Sequence, residues 1–325
     1  MAYIPYEQLS LIPYIDSTEL RGRFLATTTF YVDNNWRMWI DASEKIIELK
    51  IIGPSEATYF GDKAEKETDP SFHFLNFLTQ RANRKEILLP FSGIVDDIFN
   101  LSASLAKVDH LNNSKEQLGK GLHRLVSTEI EYLLFLCRSI FDLLQEIIQR
   151  LWSTVKLIDK NIKKRELKDT FSRMVLVDNK PASREAIQER FNLPLPLADY
   201  YHRQSAFFCL MRQTRDKIAH GGEPIQAVFP GDEDFLIQKN VSPLGDLGIW
   251  FDSESRPNDL VPLKPLLHNI VLKTIAACND FSNTIEKIIA FPNPSIPGLN
   301  FFMRGYFDKY LYNALIDGKS RSHKD

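Results

Sequence analysis

The residue types best suited to chemistry converge on one stretch, Arg212-Gln213-Thr214-Arg215-Asp216-Lys217-Ile218-Ala219-His220-Gly221-Gly222. It holds a permanently charged guanidinium at Arg215, a carboxylate beside it at Asp216 and an imidazole five residues on at His220. An imidazole with an ordinary pKa near 6.5 takes up and returns a proton at neutral pH. An arginine, always charged, stabilises negative charge that develops in a reaction. The combination offers proton transfer and charge stabilisation. Signatures of other chemistries are missing: there is no GxxxxGK[ST], no strand followed by GxGxxG, no HExxH and no GxSxG. Cys137, Cys209 and Cys278 are odd in number, far apart and each set in an apolar, helix-like segment, so they are expected to be free, buried thiols. No CxxC or Cys/His cluster points to zinc, and neither metal nor cofactor is expected.

Two long helices must position these groups. From about Leu122 to Lys168 the text reads as helix, with apolar residues at Tyr132, Leu133, Leu136, Cys137, Ile140, Phe141, Leu144, Ile147, Ile148, Leu151 and Trp152. They cover an arc of roughly 200°, wider than a surface helix needs, so this helix should lie deep in a bundle. A second helix, about Leu197 to Ala219, is closed by His220-Gly221-Gly222. Its apolar positions Leu197, Tyr200, Tyr201, Phe207, Phe208, Met211 and Ile218 share one face with Arg215, which should therefore point inward and need a carboxylate, a phosphate or a partner subunit. A five-residue step turns an ideal helix by about 500°, so His220 reaches the same site as Arg215 only where the helix ends or tightens, which glycines at 221 and 222 allow.

An arginine, a polar residue and a histidine at this spacing, at the end of a long helix flanked by other apolar helices, resemble the motif of the HEPN superfamily of helical ribonucleases. The resemblance covers roughly residues 96–291. It implies an antiparallel helical bundle and a metal-independent endoribonuclease in which the substrate's 2′-hydroxyl attacks, leaving 2′,3′-cyclic phosphate and 5′-hydroxyl ends. Arg215 and His220 would then be the catalytic pair, with Asp216 supporting. It also implies a homodimer with a composite cleft and a role as a toxin or phage-defence effector, with an antitoxin or defence-system protein as a further partner. The alternative is a non-catalytic module of the same fold, used for dimerisation, RNA binding or as a scaffold subunit of a defence complex.

On the earlier helix, Glu131, Arg138, Asp142, Gln145, Glu146 and Gln149 fall within about 60° of one direction. Such a stripe is either a solvated face or, with Arg138 and Asp142 a turn apart, a polar wall set against the Arg215/His220 helix or a dimer seam. Lys156, Lys160, Lys163, Lys164, Arg165 and Lys168 form a basic cluster that suits an RNA backbone or, equally, an exposed helix end.

The whole chain of 325 residues is 44% hydrophobic and 25% charged with a net charge of −2, a globular profile that excludes disulfide-dense, collagen-like and disordered classes. Near-neutral charge argues against coating nucleic acid by overall positive charge and leaves a local basic groove open. No leader-like or membrane-spanning run is evident, so a cytoplasmic protein without membrane contact is expected. The expected fold is mainly α: a small α+β region over 1–95, a helical bundle over 96–291 with a hairpin insertion at 223–262, and a C-terminal helix and charged tail over 292–325. Within the first region, Phe24 to Val32 and Ile46 to Ile52 read as strands and Phe72 to Arg84 as a helix, followed by a helix near Ile94 to Val108 and a break at His110 to Lys120. In the insertion, Phe235 to Gln238 and Gly248 to Asp252 read as the two hairpin strands. Helices are expected at Leu263 to Ile289 and Phe301 to Ile316, with Lys319 to Asp325 disordered.

Overall fold

The computed structural model describes residues 6–20, 22–23, 28–41, 46–220, 225 and 227–322. Four strands open it: β1 (Thr28–Val32), β2 (Asn35–Asp41), β3 (Ile46–Lys50) and β4 (Ala57–Gly61). Asp33 and Asn34 both take positive φ, the two-residue turn whose twist suits an antiparallel hairpin, and they join β1 to β2. Next come α1 (His73–Arg81), α2 (Leu88–Asn113), the single turn α3 (Lys115–Leu118), α4 (Leu122–Trp152) and α5 (Phe171–Val175). A small hairpin, β5 (Leu176–Val177) and β6 (Lys180–Pro181), precedes α6 (Arg184–Phe191) and α7 (Leu195–His220). The remainder holds β7 (Phe229–Pro230), β8 (Phe235–Gln238), β9 (Leu260–Pro262), α8 (Lys264–Ile288), β10 (Asn300–Arg304) and α9 (Asp308–Ser322). The protein is mainly α with some β.

Helix α4 packs on α2, α7 and α8, and its wide apolar face is buried as its sequence demands, from Val126 through Ile140 and Phe141 to Trp152. All three cysteines are free and buried. The segment Lys85–Asn113 is the one stretch among the described residues long and apolar enough to cross a bilayer by length and composition; it carries Asp96 and Asp97 and packs against α4 and α9.

Four expectations are corrected. Helix α4 stops at Trp152 instead of running to Lys168, because the apolar periodicity ends there and the chain turns back along the end of α8. Ile158 N–H donates to Ile288 O at 2.9 Å, and Ala290 N–H donates to Lys156 O at 2.9 Å. Phe301 lies in a strand: β10 pairs with β4 and completes a five-stranded sheet in the order β10-β4-β1-β2-β3. Phe301, Phe302 and Met303 are buried on both faces, Phe301 against Phe60 and Phe91 and Phe302 stacked on Tyr59, so the run lacks the alternation that marks a half-exposed strand.

In the insertion, β8 pairs with β7 and β9, and Gly248 to Asp252 is not a strand. That run is anchored by its side chains, the Trp250 indole N–H donating to Pro262 O at 2.7 Å. The charged tail continues α9 as far as Ser322, with Arg321 paired to Glu254 at 2.6 Å; residues 323–325 lie outside those described. The main hydrophobic core runs from Leu9 to Ala314 and takes in Phe30, Phe60, Phe301 and Met303 of the sheet together with the helices, while Tyr31, Tyr59 and Phe302 form a smaller separate cluster.

Candidate functional site

Helix α7 buries Leu197, Tyr200, Tyr201, Phe208 and Met211 and carries Arg215 one turn beyond Met211 on the same face. At that level the packing opens, so Arg215 is not core-facing as expected: its side chain is 28% exposed and lines a cleft of about 550 Å³ between α4 and the loop before α5. Arg138, Ser139, Asp142, Glu146, Arg150, Asp169 and Thr170 line the same cleft, with Phe135 and Leu143 as its apolar wall. The polar stripe of α4 thus faces the motif helix. His220 closes α7; its side chain and residues 221–224 lie outside those described.

Asp216 is the hub of the site. Its carboxylate lies 2.5 Å from Arg215 Nη1, 3.4 Å from Arg212 Nε and 3.9 Å from Arg138 Nη1, so one carboxylate sits among three guanidinium groups from two helices. Asp142 is 3.8 Å from Arg138 Nε, and its Oδ1 accepts the Phe171 N–H at 3.0 Å. Burial pushes the Asp142 carboxyl above the usual range, opposed by the Phe171 N–H and by Arg138. Glu146 pairs with Arg150 and Asp169 with Arg173, each a turn apart. Three arginines against Asp142 and Asp216 leave one surplus positive charge, which suits an anionic ligand.

The floor beneath is rigid. Phe171 packs its ring against Phe141 and Phe208, both with centroids 4.9 Å from it, and against Tyr201 at 5.7 Å. Gln145, the one member of the α4 stripe that turns fully inward, accepts from Tyr201 OH at 2.7 Å and donates to Lys168 O at 2.7 Å. These contacts tie α4, α7 and the 153–170 loop together and fix Asp169 and Thr170 at the rim.

The basic cluster lies on that loop, not on a helix end. Lys164 Nζ donates to the carbonyls of Trp152 and, at 2.7 Å, Val155, closing the C-terminus of α4. Arg165 Nη1 donates to Glu189 O at 2.9 Å near the end of α6. Lys156, Lys160, Lys163 and Lys168 are exposed.

Sequence reasoning missed Arg212, although its place four residues before Asp216 is the ordinary ion-pair spacing on a helix. Asp169 and Thr170 carried no local signal, because only the fold of the loop brings them to α4. Among the described residues no three His, Cys, Asp or Glu side chains gather as a metal-binding group. Comparison with protein-family models, with curated proteins and with solved structures finds no match to this chain.

Proposed function

We propose that the protein is an endoribonuclease of HEPN type that cleaves RNA without a metal. The observation carrying this reading is that Arg215, the arginine of the Arg-x4-His motif, shares one cleft with Arg138 and Asp142 of the neighbouring helix. In the proposed reaction a phosphodiester takes the place of the Asp216 carboxylate against Arg215 and Arg138, while Asp216 keeps its pair with Arg212. His220 removes the 2′-hydroxyl proton or protonates the departing 5′-oxygen, the 2′-oxygen bonds to phosphorus, and the P–O5′ bond breaks. Arg215 and Arg138 stabilise the charge on the non-bridging oxygens. Asp142 holds Arg138 and the 171 backbone in place. A homodimer and a role as a toxin or phage-defence effector belong to the same proposal.

Replacing every 2′-hydroxyl of a cleaved RNA by hydrogen tests it. The RNA is cut and its 2′-deoxy counterpart stays intact; cutting of both rules out internal attack. A second reading, an RNA-binding module without catalysis, draws on Arg215 being already satisfied by Asp216. It is the reading that remains if RNA is held and never cut.

A further inference from the structure

On the far side of Asp216 a second cleft, of about 460 Å³, is lined by Leu176, Asn179, Cys209, Arg212, Gln213, Asp216 and Lys217. It adjoins the first at Asp216, which forms part of its wall and touches Arg215 of the other cleft. We infer that this second cleft receives the base next to the phosphate held by the arginines, in single-stranded RNA, and that the side-chain amides of Asn179 and Gln213 read the edge of that base. The inference rests on the ribonuclease or RNA-binding reading above and adds a specificity site to it.

Charge decides between a base and a second phosphate. Both cations of this cleft are already neutralised: Arg212 is 3.4 Å from Asp216, and Lys217 is 3.0 Å from Asp246, with its amine also donating to Ser242 Oγ at 2.9 Å. A neutral pocket with an apolar wall of Leu176 and Cys209 favours an uncharged, flat group over a second anion. The surplus positive charge lies on the other side of Asp216, where the phosphate belongs.

The amides are placed for reading. Asn179 is in the β5–β6 turn, fixed by positive φ at Asp178 and Asn179 and by the Cys209 thiol donating to Asn179 O at 3.5 Å. Neither the Asn179 nor the Gln213 side-chain amide hydrogen-bonds to protein among the described residues. Each offers a donor pair and an acceptor to an exposed base edge, which is how single strands are recognised. The Arg212 guanidinium plane adds a surface for stacking.

The test is fluorescence-anisotropy binding of labelled A, C, G and U hexanucleotides with 2′-fluoro groups, which cannot be cut by internal attack. Wild type is compared with the double variant Asn179→Gly/Gln213→Ala. Glycine keeps the positive φ of position 179, and position 213 is exposed, so the double variant is expected to melt like wild type. Wild type should prefer one homopolymer by about tenfold, the discrimination that paired amide contacts give, and the double variant should bind all four about equally. Equal binding by wild type, or a preference that survives in the double variant, overturns the base pocket and leaves the RNA reading standing. Failure of wild type to bind any hexanucleotide removes the RNA reading and this inference together.

Discussion

Arg138 on α4 and Asp216 on α7 approach to 3.9 Å, an ion pair that crosses from one helix to the other beside the cleft. Their side chains are 25% and 36% exposed, so the pair itself contributes no more than about 1 kcal/mol to stability. Stability and activity should therefore separate at Arg138. Arg138→Ala should unfold in denaturant within about 1 kcal/mol of wild type while RNA cleavage falls by about 100-fold. Loss of both in step would reduce Arg138 to a structural ion pair.

Gln145 carries a different burden, because it is buried and satisfies two partners at once. Gln145→Leu leaves the Tyr201 hydroxyl and the Lys168 carbonyl without partners and should destabilise the fold by about 2–4 kcal/mol. Tyr201→Phe removes one donor and should cost about 1–2 kcal/mol. Chemical denaturation of both variants checks the order.

Within the basic loop the lysines should divide by task. Lys164→Ala opens the end of α4 and should lower stability by about 1 kcal/mol. Lys160→Ala and Lys163→Ala should leave stability within about 0.5 kcal/mol of wild type. If the loop contacts RNA, each of the latter two lowers the slope of log affinity against log salt by about one. Unchanged slopes would place the RNA path elsewhere.

Much of this architecture was legible in the sequence. The apolar spacing of α4 and α7 is nearly free of ambiguity, and the phase that set Arg215 on the face of Phe208 holds in the fold. What that phase could not show is where neighbouring helices stop touching, so a residue expected in the core lies instead at the edge of a cleft. The strand β10 was hidden because its residues are apolar toward both sides, and its partner β4 lies some 240 residues earlier in the chain. The end of α4 was hidden for a similar reason. It depends on Lys164 folding back onto its carbonyls and on hydrogen bonds to the distant end of α8.

A pH effect on stability follows from Asp308, which is almost fully buried and accepts the Gly305 N–H. Burial pushes its carboxyl up to about 6 in the folded protein, against about 4 in the unfolded chain. The folded state therefore binds the extra proton between those values, so the contribution is fully present below about pH 4 and is lost as pH rises through about 6. The shift corresponds to about 3 kcal/mol. Denaturant unfolding from pH 4 to 7 should show a flatter pH dependence for Asp308→Asn than for wild type, and parallel curves would exclude Asp308 as the source.

The central claim is that Arg215 and His220 act together with Arg138 on a single phosphodiester. It is tested most directly by incubating wild type, Arg215→Ala, His220→Ala and Arg138→Ala with RNA in EDTA and determining the chemistry of the product ends. The expected result is 2′,3′-cyclic phosphate and 5′-hydroxyl ends from wild type and little or no product from the three variants. Cleavage that persists in Arg215→Ala and His220→Ala, or products ending in a 5′-phosphate, would contradict it.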